Sequence, residues 1–95
     1  MPYIKKEDRK RLDPMIDVLA ERIAKDSCDN CEDTAGRLNY TITKLLHLVL
    51  EYEGCTENYS SYNNLIGMLE CAKLELYRRK VSPYEDKKID QNGDV

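Results

Sequence analysis

The chain has 95 residues, which fits one domain with a thin core, because a chain of this size buries only about 60–65% of its unfolded surface. With 15 Lys+Arg against 18 Asp+Glu, its net charge of -3 gives no overall drive towards nucleic acid or an anionic membrane. The longest apolar runs, Leu45–Leu46 and Leu48–Leu50, fall far short of the ~20 residues of a spanning helix, and the polar, basic start lacks the apolar segment of a signal peptide. A cytoplasmic location is therefore expected, where four cysteines stay free thiols rather than forming disulfides.

In chain order, residues 5–12 read as a short arm or helix, broken or kinked at Pro14. Asp13 suits an N-cap and Pro14 a first helical position, so a first main helix is expected over 14–26, with Met15, Ile16, Leu19 and Ile23 on one face. Residues 27–31 are polar and turn-like. Asp29 or Asn30 can cap a second helix over 32–53, whose positive end suits Glu32 and Asp33.

In that second helix Leu38, Ile42, Leu45, Leu46 and Val49 form one stripe, and Leu48 and Leu50 lie off it. A helix apolar on more than one side is buried on several sides. Gly54 is the expected C-cap. Ser60 or Ser61 can start a third helix over 60–81, with Tyr62, Leu65, Ile66, Leu69, Ala72, Leu76 and Tyr77 as its main stripe. Arg78, Arg79 and Lys80 complement the negative end of that helix, and Pro83 stops it. The polar tail, 83–95, is expected to dock through Tyr84 and Ile89. The fold expectation is all-α: an antiparallel three-helix bundle in one domain, 1–95, with a short N-terminal arm and a docked C-terminal tail.

Three stretches carry a resemblance: Met1-Pro2-Tyr3-Ile4-Lys5-Lys6-Glu7-Asp8-Arg9, Leu38-Asn39-Tyr40-Thr41-Ile42-Thr43, and residues 69–94. In the last of these, Leu76-Tyr77-Arg78-Arg79 and Pro83-Tyr84-Glu85-Asp86-Lys87-Lys88 carry the most likeness. They resemble a family of short helical phage and prophage proteins. The resemblance implies a viral or mobile-element origin and carries over no activity, so the mechanism rests on the residues themselves.

Cys28 and Cys31 stand at a zinc or dithiol spacing. The further ligands available are His47, Cys55 and Cys71. An up-down-up arrangement would place Cys55 roughly 30 Å from the first pair, at 1.5 Å per helical residue. Neither a bound metal nor redox chemistry is expected. His47 shares a helical face with Tyr40, Lys44 and Glu51, but no nucleophile stands near it in sequence, so it reads as a polar interruption facing an interface or solvent. The carboxylates Glu32, Asp33, Glu51, Glu53, Glu70 and Glu75 lack the paired spacing of an all-α magnesium-dependent nucleotide hydrolase.

Tyr77, Arg78, Arg79 and Tyr84, beside Lys80, form the densest basic and aromatic cluster. Such a set can hold a phosphate and stack a base. The plainer reading is charge at a helix end, neutralised by Asp29, Glu32 and Asp33. Leu48 and Leu50, with the small second stripe Gly67, Cys71 and Leu74, read as a subunit interface. The functional expectation is a self-associating, non-enzymatic binding protein of phage type, with no catalytic residue, cofactor or metal. It sequesters or inhibits a host component in the cytoplasm of an infected or lysogenic cell: a small anionic signalling nucleotide, as an anti-defence sponge, or a host defence protein. The alternatives are an all-α nucleotide hydrolase and, more weakly, a nucleic-acid-binding regulator.

Overall fold

The computed structural model describes residues 3–25, 33–54 and 57–95. It is all-α: α1 (Lys6–Lys25), α2 (Thr34–Glu53), α3 (Tyr59–Leu76), a π-helical turn (Tyr77–Val81) and α4 (Ser82–Asn92), with no strand among the described residues. Two compact units result, one of Tyr3–Glu57 and one of Asn58–Val95.

In the first unit, α1 begins on Lys5, whose carbonyl accepts from the N–H groups of Asp8 at 3.0 Å and Arg9 at 3.2 Å. Glu7 and Asp8 lie in its first turn, where negative charge meets the positive end of the dipole. Arg9 Nε reaches back to the Ile4 carbonyl at 2.9 Å and ties down the entering chain. Pro14 lies inside this helix rather than at its start. The expected beginning at Pro14, with Asp13 as cap, is therefore corrected: the arm and the first helix are one element. Proline at this position takes the usual donor from the Lys10 carbonyl. Lys10 is exposed, so water can serve that carbonyl instead.

The last turns of α1 meet the first turns of α2 along a groove lined by Leu19, Ile23, Gly36, Tyr40 and Thr41. Arg37 joins the two helices. Its Nε donates to the Ile23 carbonyl at 3.2 Å, and its Nη2 lies 3.4 Å from Thr34 Oγ1. Gly54 closes α2 in the left-handed conformation, φ 62 and ψ 12, as expected of a C-cap glycine. Asp33 precedes α2 without a side-chain cap bond. The alternative caps Asp29 and Asn30 lie outside the described residues.

In the second unit α3 starts at Tyr59, capped by Asn58, whose Oδ1 accepts from the Ser61 N–H at 3.0 Å. The expected stop at Pro83 does not occur. Helical backbone continues through the π turn and α4 to Asn92, and Gly93 closes it by donating to the Ile89 carbonyl at 2.8 Å. Most of the expected tail is thus a helix of its own.

Among the described residues none is buried. Met15 is 73% exposed, Val18 68% and Ile66 65%. On α2 the expected stripe is split: Leu38, Ile42, Leu45 and Val49 stay exposed, while Leu46 of that stripe is half-buried, as are Leu48 and Leu50 off it. The coverage of α2 therefore takes in only Leu46 of the stripe that periodicity singles out. In this unit, bonding across the α1–α2 junction runs through Arg37 rather than through that stripe.

Candidate functional site

Residues 75–79 read Glu-Leu-Tyr-Arg-Arg. On a helix, positions three and four apart are neighbours, so Glu75 lies beneath both arginines. Arg78 Nη2 donates to Glu75 Oε1 at 2.8 Å, and Arg79 Nε donates to the same oxygen at 2.7 Å. The Glu75 side chain is 23% exposed, against 66% for Arg78 and 57% for Arg79. The carboxylate thus sits beneath two guanidinium groups that are more exposed than it is.

A π turn runs through this cluster, and Pro83 supplies a physical reason for it. Proline has no N–H, and in a regular helix its ring would press on the carbonyl four residues back, that of Arg79. Widening the helix one step earlier relieves the clash. The Ser82 N–H donates to the Tyr77 carbonyl, five residues back rather than four. Consequently Arg78, Arg79 and Lys80 do not stand at a helix end. Helical backbone runs on to Asn92, so complementing a C-terminal dipole does not explain them. The carboxylate bonded to the arginines comes from their own helix.

The structure brings Arg78 and Arg79 together. It places the two tyrosines differently. Tyr77 lies two positions from both Glu75 and Arg79, a spacing at which helical side chains leave on different faces. The Tyr84 ring receives the Lys88 ammonium, 5.4 Å from its centroid. Each tyrosine is 55% exposed.

Of the expected interface residues, Leu48 and Leu50 are half-buried on α2, whereas Gly67, Cys71 and Leu74 are exposed on α3. A Cβ added at Gly67 would meet nothing within 4 Å. Cys71 carries a free thiol. His47 is exposed, as are Tyr40, Lys44 and Glu51 on the same face of α2. Cys28, Cys31, Cys55 and Glu32 lie outside the described residues. Among the described residues, His, Cys, Asp and Glu side chains do not gather in threes close enough to hold a metal ion.

Sequence reasoning passed over Glu75 as one of several scattered carboxylates. Its signal was present in the spacing: an acid followed at three and four residues by arginines. Arg37 was also passed over, because a guanidinium bonded to a backbone carbonyl of another helix leaves no periodic trace.

No curated protein and no solved structure matches this chain. One family does, over residues 1–95, and it is described as a domain of unknown function, DUF6899. The chain belongs to the DUF6899 family.

Proposed function

We propose that this chain is a self-associating, non-enzymatic binding protein of phage or prophage type that sequesters or inhibits a host component in the cytoplasm of an infected or lysogenic cell. The observation that carries the reading is the exposure of its apolar side chains. Large aliphatic residues on α1, α2 and α3 remain exposed, and none of the described residues is buried. Contiguous apolar surface marks interaction sites on folded proteins, and Pro14, Met15, Val18 and Leu19 adjoin one another on α1. A small domain without a sufficient core gains stability by association.

The target favoured here is a small anion of nucleotide type, held by Arg78 and Arg79. Paired guanidinium groups on one side of a helix offer the planar, forked donors that phosphate oxygens accept. The tyrosines come to such a ligand from a second copy or after rearrangement, since within one unit Tyr77 leaves on another face. No helix among the described residues is long and apolar enough to cross a membrane.

Native mass spectrometry of the protein purified from its host tests both halves of the proposal. A dimer or larger species with a co-purifying nucleotide is the expected result. A monomer that carries no ligand, together with a host protein recovered by pull-down, replaces the nucleotide reading with that of a protein inhibitor.

A further inference from the structure

We propose that Glu75 is a built-in competitor that occupies the Arg78–Arg79 pair in the empty protein and restricts it to terminal phosphoryl groups. This rests on the reading of the arginine pair as an anion site. One carboxylate oxygen already accepts from both guanidinium groups, at 2.8 Å and 2.7 Å. An incoming anion must either displace that oxygen or bind beside a negative charge. Either way it meets an opposing contribution that an unoccupied arginine pair would not impose.

The chemistry of the exchange decides which anions succeed. A carboxylate ligand replaces Glu75 like for like and gains nothing, because the resident carboxylate is tethered and the newcomer is not. A phosphodiester, as in a cyclic nucleotide or a nucleic-acid backbone, carries one charge per phosphate and has two unesterified oxygens. A terminal phosphate carries about -1.5 to -2 at neutral pH and presents three strong acceptor oxygens. It can engage both guanidinium groups in bidentate fashion and exceeds what a carboxylate offers. The pair therefore selects phosphomonoester and pyrophosphate ends over carboxylates and diesters. The competition stays reversible because ion pairs this exposed are individually weak.

The test is an NMR titration of the full chain, following the side-chain Nε–Hε signals of Arg78 and Arg79. The probes are inorganic phosphate, adenosine 5′-monophosphate and adenosine 3′,5′-cyclic monophosphate. In the wild type, phosphate and the monoester are expected to shift both signals, and the cyclic diester to bind at least about tenfold more weakly. Glu75→Gln, which keeps the shape and removes the charge, is expected to tighten all three by about three- to tenfold. Glu75→Ala should do the same, and Arg78→Ala with Arg79→Ala, followed through the backbone amide signals around residue 75, should abolish the response. If the wild type binds phosphate while Glu75→Gln binds it equally or more weakly, the competitor is overturned and the anion site stands. A cyclic diester bound as tightly as the monoester overturns the selection for terminal phosphate. No response from either the wild type or the Glu75 variants overturns the competitor and the anion site together.

Discussion

Two side chains show how single residues direct this backbone. Arg37 is partly buried and donates across to the Ile23 carbonyl in the last described turn of α1. Arg37→Ala should therefore leave that carbonyl poorly served and lower stability by about 1–2 kcal/mol, read from urea unfolding followed by circular dichroism. An unchanged unfolding midpoint would mean that water replaces the guanidinium at no cost. Pro83 acts by what it lacks. If the π turn is a response to proline, Pro83→Ala should restore four-residue hydrogen bonding through residues 77–86 and raise stability by about 1–3 kcal/mol. Backbone chemical shifts of the variant check this directly. A widened turn that persists without proline would assign it another cause.

Among the elements, helix content and type were legible in the sequence, because three stretches repeat apolar residues at helical spacing. The C-cap at Gly54 was legible as well, since only a residue tolerant of positive φ closes a helix this way. Both internal prolines were misread for one reason. Proline disfavours a helix interior, but the cost is finite, and it is met where the residue deprived of its donor is exposed, as Lys10 is, or where the helix widens, as before Pro83. Sequence periodicity measures apolar content and not which face is covered. It therefore could not reveal that α1 and α2 bond through Arg37 while Leu38, Ile42, Leu45 and Val49 stay exposed. The arginine pair was legible as a cluster, but its partner Glu75 was not, because several carboxylates competed for that role. Glycines offer a test at this scale. Gly36 and Gly67 both lie within helices, and a Cβ at either meets nothing within 4 Å. Alanine at Gly36 should raise stability by about 0.5–1 kcal/mol. Alanine at Gly67 should do the same in dilute protein and weaken association in concentrated protein, if α3 meets another subunit there. Thermal melts at two concentrations separate the two effects.

At the scale of the whole molecule the question is what covers the exposed apolar residues. Conformational entropy opposes folding by about 1–2 kcal/mol per ordered backbone residue, and burial of apolar surface is the main term that offsets it. Half-exposed leucines and isoleucines supply only part of that term. Self-association supplies more, and it ties stability to concentration, because a species that assembles only when folded gains stability by mass action. The thermal midpoint of the wild type should therefore rise with protein concentration, and sedimentation at tens of micromolar should show a dimer or larger species, about the range where weak specific interfaces populate. Leu48→Glu should shift that species towards smaller ones, since a charge would enter a side already half-buried on α2. Gly67→Arg should do so independently by filling open space on α3. A wild type that remains monomeric throughout this range, with a midpoint indifferent to concentration, would sink self-association. Cover for the exposed apolar faces would then have to come from something other than a second copy.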